Sequence, residues 1–228
     1  MKALILNSGL GSRMGDYTRE HPKCMTEIGG GETILSRQLR MLEAAGISDV
    51  IITTGAFDKV LVDYCASLKA SSVIKSINIS FIHNPIYDKT NYIYSIYCAR
   101  DVLYDDVLLM HGDLVFEESV LREIISCPVS CVKVSSTLPL PQKDFKAVVE
   151  HGRVFSVGVE FFNNAMEAQA LYNIKSYDWD VWMNKIVEYC ESGKSNCYAE
   201  VALNEITEDI SIMAFDVRDR LCTEIEYM

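Results

Sequence analysis

The chain opens with an apolar run at residues 3–6 that leads directly into a glycine-containing segment, NSGLGSRMG, at residues 7–15. A short apolar run bounded by glycines is typical of a strand buried inside a sheet. Glycines after such a strand let backbone N–H groups come close to a polyphosphate, and the cations Arg13 and Lys23 can neutralise its charge. The pattern therefore predicts an α/β fold with a phosphate-binding loop after its first strand.

A dinucleotide-binding fold begins in a similar way, and the spacing of Gly9, Gly11 and Gly15 is near its fingerprint. That fold needs an apolar helix immediately after the loop. Residues 16–22 are polar and end in Pro22, and a proline is poorly tolerated inside a helix. We therefore interpret residues 13–23 as a long loop that folds over a ligand, with an ordinary strand-to-helix turn as the plainer alternative.

Strand-like and helix-like segments alternate through the first half of the chain. Helices are predicted over residues 33–45, 58–67 and 92–100, with Thr33 and Asp58 as caps, and strands over residues 50–52, 77–82 and 107–110. This alternation favours a parallel sheet covered on both faces. After Asp113 the pattern gives a strand at 129–134, a hairpin across residues 151–152, helices at 178–192 and 199–206, and strands near 211–215 and 222–225.

The sequence shows no internal repeat and no low-complexity linker. We therefore expect one domain over residues 1–228, with a nucleotide-binding half at about 1–115 and an acceptor-binding half at about 116–228.

Composition narrows the function classes. A net charge of −11 disfavours nucleic-acid binding, which depends on basic surface. The apolar runs are strand-sized, so no membrane partner is expected. The N-terminus lacks a signal-peptide pattern and the eight cysteines lack zinc spacing, which favours a cytoplasmic protein with reduced thiols.

The first metal candidate is Asp113, in the sequence His111-Gly112-Asp113 directly after an apolar strand. Ligands bind at the carboxyl edge of parallel strands, and an aspartate there can hold Mg²⁺ between protein and phosphates. A plain Gly-Asp turn is the alternative. Beside a phosphate loop the metal interpretation is favoured, and Mg²⁺ is the expected cofactor.

Residues 90–95, TNYIYS, offer an amide and hydroxyls that can contact the edge of a base. The alternative is a helix capped by Thr90 or Asn91, with its tyrosines in the core. Thr53, Thr54 and Gly55, after the second strand, can also approach the base.

The N-terminal strand, the G-x-G-x-R motif ending at Arg13, and Pro22-Lys23 together resemble the signature of nucleotidyltransferases that activate sugar phosphates and small phospho-alcohols with an NTP. Asn7-Ser8 stands where that MobA-like family more often has two alanines. The resemblance implies a Rossmann-like mixed, mostly parallel sheet with helices on both faces. The expected nucleotide contacts are Leu6, Asn7, Ser8, Gly9, Gly11, Ser12, Arg13, Lys23, Thr54, Gly55, Thr90, Asn91, Ser95 and Gly112.

A second resemblance spans nearly the whole chain. Residues 144–147 (DFKA), 169–172 (QALY) and 198–206 (YAEVALNEI) are similar to 2-aminoethylphosphonate cytidylyltransferases. Asn91 and Ser95 match an N-x-x-x-S stretch of those enzymes and of phosphocholine cytidylyltransferases, which implies recognition of cytosine. The implied reaction joins CTP and 2-aminoethylphosphonate to give CMP-2-aminoethylphosphonate and pyrophosphate. That family is sometimes fused to an aminotransferase, so this chain is a candidate for a domain of a longer polypeptide.

The resemblance also supplies a second metal ligand. Residues 222–226 look like the E-I-D stretch that carries this ligand in phosphocholine-type cytidylyltransferases, so Glu226 is expected to join Asp113 at the metal. An exposed terminal acid is the alternative.

The second half of the chain interleaves aromatic residues with carboxylates, which suits a cationic amine. The acceptor-binding candidates are Asp144, Lys146, Glu160, Tyr172, Trp179 and Trp182. Lys146 is a candidate partner for the phosphonate, with a solvated lysine as the alternative. Catalytic roles are expected for Arg13 on the departing phosphates, for Lys23 on the α-phosphate side, and for Lys146.

Three alternatives stay open: a phosphocholine cytidylyltransferase, a sugar-1-phosphate nucleotidyltransferase, and a nucleotide-binding regulatory module without turnover. The sequence also leaves the base, the acceptor and the oligomeric state open, a homodimer included.

Overall fold

The computed structural model describes residues 1–9 and 21–225. Its strands are β1 (Lys2–Asn7), β2 (Asp49–Thr54), β3 (Asn78–His83), β4 (Val107–His111), β5 (Leu114–Phe116), β6 (Cys131–Ser135), β7 (Lys146–Glu150), β8 (Arg153–Gly158), β9 (Ala165–Ile174), β10 (Ile212–Asp216) and β11 (Cys222–Glu224). Nine of them form one sheet in the order β3-β2-β1-β4-β9-β6-β10-β8-β7, and β5 and β11 pair separately.

The expected mixed sheet is confirmed, but among the described strands it is not mostly parallel: four strand pairings are parallel and five are antiparallel, and three of the four parallel ones lie in the first half. β3, β2, β1 and β4 are parallel neighbours, whereas β9 runs antiparallel to β4, β6 and β7. Leu6 in β1 pairs with Thr53 on one side and His111 on the other. The carboxyl ends of these strands therefore meet at one edge of the sheet, where ligands bind in open α/β folds.

The helices are α1 (Ile34–Ala44), α2 (Asp58–Ala70), α3 (Tyr92–Cys98), α4 (Glu118–Ile125), α5 (Ser176–Glu191) and α6 (Ala199–Asn204). Apolar residues of α1, α2 and α4 join the core on one face of the sheet, and those of α3, α5 and α6 join the core on the other. Helices on both faces are thus confirmed. No helix within the described residues is long and apolar enough to cross a membrane.

The helix ends show which turn signals were informative. The Thr33 side chain accepts a hydrogen bond from the Ser36 backbone in a capping box, and Gly46, with φ of +84°, follows the end of α1. The predicted cap at Asp58 is wrong. Phe57 occupies the cap position of α2, and the Asp58 carboxylate accepts a hydrogen bond from the Thr54 hydroxyl instead.

Three elements were missed in the sequence: β5, α4 and β9. The ten-residue β9 lies at the centre of the sheet, between β4 and β6. Its buried face carries polar side chains that hide the apolar pattern of a core strand, and Glu167 forms an ion pair there with Lys133 of β6. In contrast, the hairpin between β7 and β8 is confirmed, with His151 and Gly152 at φ of 50° and 81° in its turn.

Candidate active site

A cavity of about 320 Å³ opens at the carboxyl edge of the parallel strands. It is lined by the ends of β1 and β4, the segment around Lys23, and the segment between β3 and α3. The lining residues are Leu6, Asn7, Ser8, Gly9, Pro22, Lys23, Asn84, Tyr87, Thr90, Asn91, Tyr92, Ser95, His111 and Asp113. The structure therefore brings nine of the sequence-predicted site residues to one cavity: Leu6, Asn7, Ser8, Gly9, Lys23, Thr90, Asn91, Ser95 and Asp113. Three further predicted residues, Gly11, Ser12 and Arg13, lie outside the described residues.

An ion pair marks one end of the cavity. The Lys23 Nζ lies 2.7 Å from Asp113 Oδ2, and both side chains are mostly buried, with 16% and 21% of their surface exposed. Lys23 begins a short 3₁₀ turn after Pro22, and Asp113 follows β4. A cation after the first strand and an acid after the fourth thus reach the same point, which we call the phosphate end of the cavity after the contact predicted from the sequence.

A second carboxylate reaches the phosphate end through β11. This strand pairs antiparallel with β5 and sets Glu224 opposite Leu114, next to Asp113. The Ile225 N–H also donates to the Asp113 carbonyl at 3.1 Å. Glu224 was not predicted as a ligand. The stretch TEIE at residues 223–226 contains two glutamates, and the family resemblance pointed to the second of them, Glu226. Glu226 lies outside the described residues.

His111 links these acids. Its Nδ1 lies 2.7 Å from Glu224 Oε1. Burial works against protonation of the ring, but the Glu224 carboxylate outweighs it and raises the pKa of His111 to about 9. The imidazole is therefore protonated at neutral pH, so that two cations, Lys23 and His111, face two carboxylates.

The acids fit a hard divalent cation. One ligand atom each from His111, Asp113 and Glu224 lie within 4.8 Å of one another. Mg²⁺ prefers carboxylate, phosphate and water oxygens over imidazole nitrogen. Asp113 and Glu224 are thus the residues suited to hold it, and His111, through its bond to Glu224, is suited to orient that carboxylate.

The opposite end of the cavity is built around Asn84, a residue that the sequence did not single out. This side chain is buried, and its Nδ2 donates to Thr90 Oγ1 and Ser95 Oγ, both at 3.1 Å. Thr90 donates its own proton to the Ile86 carbonyl, so its hydroxyl can only accept further bonds. Ser95 accepts from Asn84, and no described residue accepts its proton. We call this the base end of the cavity, after the contacts predicted from the sequence for Thr90 and Ser95.

Asn91 acts as a helix cap, which the sequence analysis gave as the alternative to contact with the base. It caps α3, and its Oδ1 accepts a hydrogen bond from the Tyr92 N–H. Its side chain still forms part of the cavity wall.

Thr54, Gly55 and Gly112 are not among the lining residues. Thr54 is fully buried and donates to Asp58, so the structure does not support its predicted contact with the nucleotide. Gly55 is needed for close packing, because a Cβ there would lie 2.3 Å from the Ser8 carbonyl oxygen. At Gly112 a Cβ would lie 1.7 Å from Asn7 Oδ1. Both glycines make room for the end of β1.

The predicted acceptor role of Tyr172, Trp179 and Trp182 is wrong, because all three are fully buried in the core. The indole N–H groups of Trp179 and Trp182 donate to the carbonyls of Leu103 and Ala199, at 2.9 and 3.1 Å. The Tyr172 hydroxyl donates to Glu200 at 2.9 Å. Buried aromatic rings with a polar atom need such partners, and these were found inside the fold.

Lys146, Asp144 and Glu160 do not line the cavity either. Lys146 is buried at the start of β7, and its Nζ donates to the carbonyls of Pro141 and Asp144, at 2.7 and 2.9 Å. Burial lowers its pKa, against the opposing charges of Asp144 and Glu160. The ammonium group donates to carbonyls of the loop that precedes β7. The structure therefore supports neither a catalytic contact for Lys146 nor the alternative of a solvated lysine.

A group of aromatic rings that the sequence did not predict as a binding site borders the cavity. Tyr92 lies 5.0 Å from the His111 ring and 5.7 Å from the Tyr198 ring, and Phe145 lies 5.1 Å from Tyr198. Behind them the buried Glu200 carboxylate accepts hydrogen bonds from the hydroxyls of Tyr92 and Tyr172. We call Tyr92, His111, Phe145 and Tyr198 the aromatic cluster.

Comparison with known proteins identifies the family. The model of the MobA-like NTP transferase domain matches residues 3–135 of this chain. A CMP-5'-(3-aminopropyl)phosphonate synthase of Streptomyces rubellomurinus is 31% identical over 140 residues, which cover 61% of this chain and 21% of that protein. A CTP:phosphoglutamine cytidylyltransferase of Campylobacter jejuni is 28% identical over 132 residues, which cover 55% and 49%. The matches therefore span half or less of these relatives.

Solved structures share the fold at low sequence identity. The CTP:phosphocholine cytidylyltransferase of Streptococcus pneumoniae superposes with a TM-score of 0.76 at 18% identity, covering 100% of this chain and 94% of that one. The inositol-1-phosphate CTP transferase of T. maritima gives 0.78 at 18% identity, covering 99% and 89%. These likenesses confirm the expected nucleotidyltransferase fold over the length of the chain.

Proposed function

Because this chain belongs to the MobA-like NTP transferase family, we propose that it is a cytidylyltransferase that joins CTP to a small phosphonate or phosphate carrying an amine, with 2-aminoethylphosphonate as the expected acceptor. The observation that carries the proposal is the meeting of Lys23, Asp113 and Glu224 at one end of a cavity whose other end presents the Ser95 and Thr90 hydroxyls. The two ends suit the triphosphate and the base of one nucleotide.

The phosphate end supports transfer at the α-phosphorus. An acceptor oxygen attacks in line and pyrophosphate leaves on the opposite side. The acceptor is already an anion near neutral pH, so catalysis consists of positioning and charge neutralisation and needs no general base. Lys23 supplies a fixed cation for the phosphoryl oxygens. Mg²⁺, which Asp113 and Glu224 would hold, supplies further neutralisation when bound. Arg13 remains the predicted partner of the departing phosphates.

The base end supports binding of a pyrimidine. Cytosine offers acceptors at N3 and O2 and a donor at its exocyclic amine, whereas uracil reverses the polarity at N3 and at position 4. Ser95 has a proton to donate, and Thr90 can only accept. One donor and one acceptor can complement either pyrimidine, so the choice of CTP in this proposal rests on the cytidylyltransferase relatives and on the resemblance at Asn91 and Ser95.

Three neutral rings of the aromatic cluster, those of Tyr92, Phe145 and Tyr198, support a cationic acceptor. Ring faces with a carboxylate behind them attract an organic cation, whereas sugar hydroxyls call for amide and carboxylate groups that can hydrogen-bond. Phosphocholine is the second candidate acceptor, for a specific reason. Both Glu200 oxygens accept bonds from tyrosine hydroxyls, and a quaternary ammonium needs no acceptor of its own.

The test is a pyrophosphate-release assay. It crosses four NTPs with 2-aminoethylphosphonate, phosphocholine and glucose-1-phosphate, with and without Mg²⁺. We expect release with CTP, Mg²⁺ and one of the two amines, and loss of release in Asp113→Asn. Turnover with glucose-1-phosphate alone would make the chain a sugar-1-phosphate enzyme. Absence of release from every combination would leave a nucleotide-binding module.

A further inference from the structure

The side chain of Asn7 packs against the backbone of Gly112 and fills the space where a side chain at position 112 would lie. Asn7 ends β1, and Gly112 follows β4, the strand beside it. A Cβ at position 112 would lie 1.7 Å from Asn7 Oδ1 and 2.4 Å from Asn7 Cγ. The carboxamide therefore occupies the space that any other residue at position 112 would fill, and its orientation is set by the two strand ends.

This carboxamide carries an unused donor. The Asn7 Nδ2 is buried, and no described residue accepts a hydrogen bond from it. Buried polar groups nearly always have partners, because burial removes the water that would otherwise satisfy them. An unpaired N–H group on the wall of a ligand cavity points to an acceptor that the ligand itself brings.

The place of Asn7 in the cavity indicates which acceptor. Asn7 lines the wall together with Lys23 and Asp113, and the adjoining Ser8 Oγ is likewise buried without a partner among the described residues. Anionic phosphoryl oxygens are the acceptors expected beside a lysine. A neutral amide can donate to such an oxygen without adding a charge next to the Asp113 carboxylate.

We propose that Asn7 Nδ2 donates a hydrogen bond to an α-phosphoryl oxygen of the bound nucleotide, and that the absence of a side chain at Gly112 leaves the space that the carboxamide occupies in this contact. The assignment rests on the proposed nucleotidyl transfer. It gives this chain a side-chain donor at a position where an alanine would leave only the backbone.

The experiment compares Asn7→Ala, Gly112→Ala and the Asn7→Ala/Gly112→Ala double variant. Asn78→Ala, an exposed asparagine at the start of β3, is the matched control. The measurements are kcat and KM for CTP, CTP affinity by calorimetry, and thermal unfolding. Asn7→Ala is expected to lower kcat/KM on the order of 10²-fold while remaining folded, because a preorganised donor to the reacting phosphate is lost. Asn78→Ala should match the wild type.

The double variant separates packing from ligand contact. Gly112→Ala should lower the unfolding temperature, because its methyl group collides with the carboxamide. The double variant should regain stability, since the methyl fills the vacated space, yet remain as slow as Asn7→Ala. Wild-type kcat/KM in Asn7→Ala, or recovery of activity in the double variant, would overturn the proposal.

Two further arms keep the inference separate from the proposed function. If the wild type releases no pyrophosphate, the proposed function fails and CTP affinity decides. About tenfold weaker binding by Asn7→Ala supports the donor, whereas unchanged binding, or no CTP binding by the wild type, rejects it. With dCTP, an unchanged preference for CTP in Asn7→Ala supports the phosphoryl contact. Loss of that preference would place the donor on the ribose and overturn the assignment.

Discussion

Two carboxylates, Asp113 and Glu224, and two cations, Lys23 and His111, meet at the phosphate end of the cavity. Charges held in fixed positions in a mostly buried site act more strongly on a reacting phosphate than charges in water, since no solvent has to reorganise. The contribution of each of these residues can therefore be tested by removing one charge at a time.

Lys23→Ala should lower turnover on the order of 10²-fold at saturating substrates, because the α-phosphate loses a preorganised cation. Pyrophosphate release measures the effect. Lys59→Ala is the matched control, since Lys59 is exposed and pairs with Asp63 on the surface of α2. Near-normal turnover in Lys23→Ala would remove this lysine from the catalytic machinery.

Glu224→Gln should raise the Mg²⁺ concentration for half-maximal activity by about tenfold or more, because one carboxylate ligand is lost. Binding of Mn²⁺ followed by electron paramagnetic resonance gives a second readout without substrate. Glu226→Gln, the acid that the sequence favoured, serves as the comparison and should behave like the wild type. The reverse pattern would return the metal to Glu226.

Among the secondary-structure elements, α5 acts as a structural support. Its two tryptophans, Trp179 and Trp182, are fully buried and pack against each other in the core. A helix that packs its largest side chains inward contributes stability and positions other residues without touching the ligand.

Trp179→Phe should lower the free energy of unfolding by about 1–3 kcal/mol, because the Leu103 carbonyl loses its donor and a small void opens. The KM for the acceptor should not change. Tyr198→Ala, in the aromatic cluster, should give the opposite result, with a raised acceptor KM. A raised acceptor KM in Trp179→Phe would restore the role that the sequence suggested.

A carboxylate near the end of α1 secures the segment that leads into β3. Glu43 accepts hydrogen bonds from the backbone N–H groups of Lys75, Ser76 and Ile77. The bond from Ser76 is the largest cause that lowers the pKa of Glu43, and burial opposes it. The folded state thus favours the ionised carboxyl, and its contribution to stability is present above the ordinary glutamate pKa and lost as the pH falls through the lowered one.

Glu43→Gln should therefore destabilise the protein at neutral pH, on the order of 1 kcal/mol. The difference from the wild type should shrink as the pH falls through the lowered pKa of Glu43, because the wild-type carboxyl is then protonated as well. Urea unfolding at a series of pH values measures it. A difference that is constant with pH would mean that the charge of Glu43 contributes nothing.

At the scale of the whole molecule, the main feature is an ion pair buried in the middle of the nine-stranded sheet. Lys133 of β6 and Glu167 of β9 are 0% and 7% exposed, and Gln169 also donates to Glu167. β9 lies between β4, which ends at the phosphate end of the cavity, and β6. The pair therefore joins two adjacent antiparallel strands in the middle of the sheet.

Lys133→Met should cost about 3–5 kcal/mol of folding free energy, because it leaves the Glu167 carboxylate buried without its cation. The double variant Lys133→Met/Glu167→Leu should recover much of this loss, since no charge then remains in the core. Chemical denaturation of the two variants and of Glu167→Leu gives the coupling between the two residues. Additive losses would show that the two charges do not interact.

The sequence by itself determined the local features of this protein. The apolar run at residues 3–6 and the alternation after it were enough to predict a parallel sheet, and the placement of Asp113 after an apolar strand put it at the ligand edge. These are properties of neighbouring residues, so short-range patterns contain them. The family motifs added the nucleotidyltransferase fold, which the structural likenesses confirm.

Only the tertiary structure decided which distant side chains meet. Glu224 reaches Asp113 because β11 pairs with β5. Trp179 is buried because α5 packs against the sheet. Neither arrangement can be predicted from a local sequence pattern. β9 was missed because a glutamate at position 167 does not look like a residue of a core strand. Only in the folded protein does Lys133 pair with it and offset its charge. Proximity between residues far apart in the chain depends on strand order and packing, and those follow from the free energy of the whole fold.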